Sequence, residues 1–275
     1  MTFLLAIVLA IIEGLTEFLP VSSTAHMIFT SSVFGVEKDV FVKMFQVSIQ
    51  FGAILAVVVL YWKKFFDFTS YKFYLKITLA VIPALILGKL FDEEIEKVLE
   101  KPVPIAITLI IGGIVLLFVH KLFNNTHIDK EQEVSNNSAI TIGFWQCLAM
   151  MPGTSRSAAS IIGGMQQKLS MRMAAEFSFF LAVPTMLAVT CYSIFLKDWS
   201  VPISGEDFVD MKGYEMLLQG NHLLLFIIGN VIAFFVALLA IKFFIGILKK
   251  YGFKMWGWYR IMLGVSFIIY YCLIA

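Results

Sequence analysis

The sequence predicts an all-α polytopic membrane protein, with six transmembrane helices plus two re-entrant helical hairpins in an inverted-topology repeat. Three observations carry that prediction. Hydrophobic residues make up 60% of the 275, with a mean hydropathy of +0.88, against roughly 45–50% apolar in soluble domains. Six apolar runs each come close to the ~20 residues that cross a bilayer. Two further apolar segments stop at a proline and meet charges where a span would have its middle.

The first broken segment is apolar over Met1–Ile12, then carries Glu13 and Glu17 and breaks in "LPVSST", Leu19–Thr24. Met1–Ile12 lacks a basic start and an A-x-A end, so no cleavable signal peptide is expected. Met44–Trp62 is the first span. Phe73–Phe91 is the second, if Lys76 and Lys89 snorkel to the interfaces. Pro102–Val119 is the third, and a polar connection over Phe123–Ser138 follows. The second broken segment, Ala139–Ser155, stops in "MPGTSRS", Met151–Ser157, and meets Arg156. Phe177–Leu196, His222–Ile241 and Met255–Ala275 complete the six spans. The last has Arg260 near one end and Trp256, Trp258 and Tyr259 as an interfacial belt. Cys147, Cys191 and Cys272 lack ligand spacing and read as packing thiols.

A charge at the bilayer centre costs about 2.5–3.5 kcal/mol on insertion scales. Broken backbone is tolerated at that depth only where it is buried in protein or lines a wet cavity. Both broken segments therefore read as re-entrant hairpins. They also look like copies. An offset of 132 pairs Pro20 with Pro152, Ser23 with Ser155 and Phe45 with Phe177. A single membrane domain of residues 1–275 is expected. Its first repeat would cover 1–122 (hairpin 1–34) and its second 139–275 (hairpin 139–166). Three spans per repeat is odd, so the second copy enters upside down, a plan in which sites form at the midplane where broken helices meet. Threading the chain puts seven Lys and Arg on the side of the N-terminus and thirteen on the other, with Arg156 inside the membrane. The positive-inside rule makes the second side cytoplasmic and both termini external.

The two tips can hold an anion. A helix starting after each proline offers unpaired N–H groups and a positive dipole end. Ser22, Ser23 and Thr24 at one tip, and Thr154, Ser155 and Ser157 at the other, add hydroxyls, while Arg156 adds a fork that grips phosphate. Alternatively the hydroxyls cap the broken helices. Glu13 and Glu17 share a helix face. They are acid/base groups, oxygen ligands for Mg²⁺ or Ca²⁺, or a structural pair neutralised by Arg156. His26 follows Ser22 by four residues and Ser23 by three, so a Ser–His contact on neighbouring turns is expected, with histidine as base or nucleophile. Gln46 and Gln50 would support the tips from behind.

"EGLTEFLPVSSTAH" (Glu13–His26) and "PGTSRSAAS" closely resemble the two signature motifs of the bacterial undecaprenyl-diphosphatase, or bacitracin-resistance, family. "IQFGAILAV" (Ile49–Val57) and "EFSFFLAVP" (Glu176–Pro184) resemble its other recurring stretches, so the likeness covers essentially the whole chain. It implies hydrolysis of undecaprenyl diphosphate to the monophosphate carrier lipid and inorganic phosphate, for reuse in peptidoglycan synthesis, with resistance to bacitracin. It implies a multi-pass protein of the bacterial inner membrane, an active site open to the outer side, and a divalent cation, Mg²⁺ or Ca²⁺. Glu17, Ser23 and Arg156 become the most sensitive positions, with Glu13, Ser22, Thr24 and His26 around them. Ala25 and Ser160 depart from the family's usual glycine and threonine. The expected partners are a prenyl diphosphate lipid and the surrounding bilayer, with no nucleic acid, and a homodimer is one assembly the reading leaves open. The competing class is a flippase for undecaprenyl phosphate. It needs the anion cradle but has no use for a Ser–His–Glu cluster.

Overall fold

Each proline-broken segment folds as helix–turn–helix in the computed structural model, which describes residues 1–91, 94–95, 101–123, 125–204 and 207–274. Helix α1 (Phe3–Thr16) starts on Thr2, whose side chain accepts from the Leu5 N–H, and a turn leads into α2 (Ser23–Val33). The second pair is α8 (Asn136–Cys147) and α9 (Arg156–Gln166). Between the pairs lie α3 (Val40–Ser48), α4 (Gln50–Leu60), the short α5 (Trp62–Phe65), α6 (Tyr71–Leu90) and α7 (Pro102–Leu122). Then come α10 (Met171–Cys191), β1 (Asp198–Ser204), β2 (Asp207–Lys212), α11 (Gly213–Leu217), α12 (His222–Tyr251) and α13 (Lys254–Ile274).

Among the described residues, five helical stretches are long and apolar enough to cross a membrane: Val40–Leu60, Tyr71–Leu90, Pro102–Leu122, Met171–Leu196 and His222–Leu248. Each covers one predicted span. The sixth predicted span coincides with α13, which has 21 residues. Its Ala275, and Lys97 of the charge count, lie outside the described residues. Arg260, expected near one end of the last span, faces neither lipid nor water. It is fully buried, 0% exposed. Moving it inside leaves twelve cations on the proposed cytoplasmic side against seven, an imbalance of the same sign.

The first helix of each broken segment packs on a long helix from the other half of the chain: α1 on α12, α8 on α6. Small residues permit both approaches, as at membrane helix crossings generally. A Cβ on Gly14 would sit 2.7 Å from the Ala233 carbonyl oxygen, and one on Gly143 only 2.3 Å from that of Ala80. Helix α7 packs along α13, and α4 on α12. The first span is interrupted between α3 and α4, because the Asn230 side-chain oxygen accepts the Gly52 N–H at 2.7 Å and displaces it from the regular ladder. The core is aromatic, built on Phe18, Phe45, Phe177, Phe179 and Phe244, while Ile86, Ile111, Phe235 and Leu239 face outward, as a bilayer requires.

The antiparallel ribbon β1–β2 was not foreseen, since its alternation of Trp199, Val201 and Ile203 with polar residues is short and interrupted by Pro202.

Candidate active site

The two tips meet. At the first, Ser22 caps α2 with φ 69° and accepts the Ala25 N–H on its hydroxyl. At the second, Ser155 caps α9 with φ 73° and accepts the Ala158 N–H. Non-glycine residues seldom adopt positive φ, so this shared turn is a specific likeness between the tips. It also corrects the repeat register. Ser155 matches Ser22 rather than Ser23, because Pro152 stands three residues before its cap and Pro20 only two. Ser23, the first residue of α2, then corresponds to Arg156, the first residue of α9.

Those two first residues converge on one carboxylate. The Ser23 hydroxyl donates to Oε2 of Glu17 at 2.6 Å, and Nη2 of Arg156 donates to Oε1 at 2.9 Å. All three side chains are buried. Nη1 of Arg156 donates to the Ser178 carbonyl at 2.8 Å, and its guanidinium lies 5.8 Å from the centre of the Phe18 ring. Its Nε is buried and unpartnered. The Ser157 hydroxyl joins the tips again, donating to the Phe18 carbonyl at 2.8 Å. Ser22, Ser155 and Ser157 therefore have capping or tethering roles, while Thr24 and Thr154 are half-buried at the tips.

His26 meets Ser22 through the serine's backbone carbonyl and bonds neither serine hydroxyl. Nδ1 of His26 pairs with the Ser22 carbonyl and Nε2 with the Tyr259 hydroxyl, both at 2.7 Å. Helical phase explains it: the side chain of Ser23 turns back to Glu17 while His26 faces α13. Among the described residues, neither buried carboxylate oxygen of Glu13, which stands one helical turn from Glu17, accepts a hydrogen bond, and the buried amide oxygen of Gln50 accepts none. Gln46 does support a tip helix, donating to the Met27 carbonyl at 3.3 Å. Among the described residues, no group of three or more His, Cys, Asp or Glu could hold a metal ion.

Sequence reasoning missed Arg260 and Tyr259, which lie on α13 and touch both tips and His26. The signal was present: an arginine in a span is a functional hypothesis by default, but the adjacent aromatics drew it to the interface. The network behind Arg156 was also missed. The Ser160 hydroxyl donates to the Arg156 carbonyl at 2.8 Å, and its oxygen pairs with the Ser178 hydroxyl at 2.7 Å.

The fold and site define a multi-pass helical membrane protein with a buried serine–carboxylate–guanidinium cluster between two broken helices. The chain belongs to the family described as bacitracin resistance protein BacA, whose profile matches residues 6–266. It is 51% identical over 272 residues to an undecaprenyl-diphosphatase of Flavobacterium psychrophilum and 50% identical over 273 residues to that of Flavobacterium johnsoniae. It is 42% identical over 271 residues to the undecaprenyl-diphosphatase of Bdellovibrio bacteriovorus. Each alignment covers 98% of this chain and 96% of the relative.

Proposed function

We propose that this chain hydrolyses undecaprenyl diphosphate to undecaprenyl phosphate and inorganic phosphate, as its relatives' names state for them. The single observation that supports this most is the hydrogen-bonded cluster of Ser23, Glu17 and Arg156 drawn from both tips. Ser23 is the nucleophile. Its hydroxyl proton passes to Oε2 of Glu17 as its oxygen bonds the terminal phosphorus. The anhydride P–O bond breaks and the lipid monophosphate leaves. Water then cleaves the phosphoserine, releasing phosphate. The free Nε of Arg156 and the first N–H groups of α2 and α9 supply donors for the charge that spreads over the phosphate oxygens. His26, held between a carbonyl and a tyrosine, orients the tip rather than activating Ser23. A flippase would need the cradle but not a serine bonded to a carboxylate.

Glu13 and Glu17 fit a divalent cation, because two unpartnered oxygens of Glu13 are buried beside a second carboxylate. With only two carboxylates the set suits Mg²⁺, which keeps water and takes phosphate oxygens. Such an ion would neutralise the diphosphate. The test of the reaction is phosphate release from farnesyl diphosphate in detergent, where no transbilayer gradient exists. Release by the wild type supports hydrolysis, and none with any divalent cation would contradict it. Acid-stable label on Ser23 after quenching would support the covalent step.

With six spans, α13 the last, and the more basic side cytoplasmic, both termini, the ribbon β1–β2 and the site's opening lie on the outer side of the bacterial inner membrane. The two halves form an inverted repeat whose hairpins enter from opposite faces. The apolar tail stays in lipid. A crevice of about 300 Å³ whose lining includes Leu87, Phe91, Glu94, Met150, Met151 and Pro152 borders the second tip and supports lateral entry. A cysteine at Val209, in a variant stripped of its three native cysteines, is expected to react with an impermeant maleimide added to intact cells. Reaction only after the membrane is opened would reverse the orientation.

A further inference from the structure

Arg260 is the largest fully buried side chain among the described residues, and its bonding is unusual for a buried cation. Among the described residues its partners are backbone carbonyls. Nη1 donates to Pro20 of the first tip at 3.2 Å and to Thr154 of the second at 2.9 Å. Nη2 donates to Gly153 at 2.7 Å, and Nε to Leu109 of α7 at 3.3 Å. One planar fork thus holds the carbonyls of both tips to a third element. A trans peptide points its carbonyl and N–H in opposite directions. Fixing the Thr154 carbonyl on Arg260 therefore turns the Ser155 N–H, at the head of α9, the other way. Arg260 does not touch Glu17, Ser23 or Arg156 in any of these bonds, yet it holds the loops that carry them.

We propose, resting on the functional reading above, that Arg260 is a positioning residue for the reaction. By gathering the tip carbonyls it fixes the spacing of the two tips and aims their N–H groups at the diphosphate. A lysine cannot do this, since its single ammonium lacks the planar fork that reaches three carbonyls on two tips. The fork also has a close neighbour. A Cβ on Gly112 would crowd its Nη2, so Gly112→Ala displaces the guanidinium while leaving its charge and the sequence of both tips unaltered.

The experiment compares Arg260→Lys and Gly112→Ala with wild type in detergent. Activity on farnesyl diphosphate is counted per monodisperse, folded molecule, and binding of inorganic pyrophosphate is measured separately. In folded protein, kcat is expected to fall about 100-fold in both variants, the effect of a tip displaced by an ångström. The pyrophosphate Kd should rise about tenfold, as for one lost hydrogen bond to a charged group. Values within twofold of wild type per folded molecule overturn the proposal, as does a loss that follows only the folded fraction. If Arg260→Lys does not fold, Gly112→Ala decides. Failure of both to fold assigns Arg260 to the fold alone and also overturns it. If the wild type itself releases no phosphate, the functional reading fails, and pyrophosphate binding still decides whether Arg260 sets the tips.

Discussion

Glu17→Gln is expected to lower kcat for prenyl diphosphate hydrolysis by about 10³-fold, within the range that general-base catalysis contributes, while the protein stays folded. The amide is isosteric. Its oxygen can still accept from Arg156, as Oε1 does now at 2.9 Å, so the tips remain tied through this pair and through Ser157. What it cannot do is take the Ser23 proton that now points at Oε2 from 2.6 Å. Ser23→Ala should be about as damaging, and the double variant scarcely worse than either, because a nucleophile and its base act as one unit. Steady-state phosphate release checks this, with thermal unfolding run on the same samples. More than a tenth of wild-type activity in Glu17→Gln would remove Glu17 as the base. Additive losses in the double variant would separate the two roles.

The sequence made most of the fold and the centre of the site legible, for a physical reason. Lipid offers no hydrogen bonds, so polar residues within apolar runs must have partners inside the protein. Glu17, Ser23 and Arg156 were among the residues marked on that ground, the family likeness put them first, and the structure brings them into contact. Five spans were readable because length and hydropathy need no tertiary information. Three features were not. Which way His26 faces depends on the phase of a helix that begins at a positive-φ cap, and spacing does not reveal that φ. The register between the tips hid behind proline, the most visible residue but not the structurally equivalent one. The bonds of Arg260 to both tips were hidden, because neither its place near one end of the last span nor its aromatic neighbours reveal what it meets. Its true setting depends on Gly112 of a distant helix making room for its guanidinium.

Arg156→Ala is expected to abolish turnover and also to destabilise the protein by about 3–5 kcal/mol, the usual cost of leaving one member of a buried ion pair alone. Two carboxylates explain both effects. Arg156 is the cation bonded to Glu17, and Glu13 lies one turn away with neither oxygen partnered. Removing the guanidinium leaves this acidic pair without its counter-charge and the diphosphate without its fork. Stability and catalysis can be pulled apart by a second change. Glu17→Gln in the Arg156→Ala background removes the stranded charge, so much of the lost stability should return, while activity should stay at background because base and fork are both absent. Arg156→Lys gives the complementary control. It keeps the charge and much of the stability, but one ammonium cannot serve Glu17, the Ser178 carbonyl and a phosphate oxygen together, so KM should rise and kcat fall about 10²-fold or more. Unfolding midpoints and phosphate release on the four proteins test the argument. If Arg156→Ala retained wild-type stability, the Glu17 pair would not be a buried ion pair. If Arg156→Lys hydrolysed prenyl diphosphate as fast as wild type, charge alone would suffice, and the planar geometry that joins the two tips would have no catalytic role.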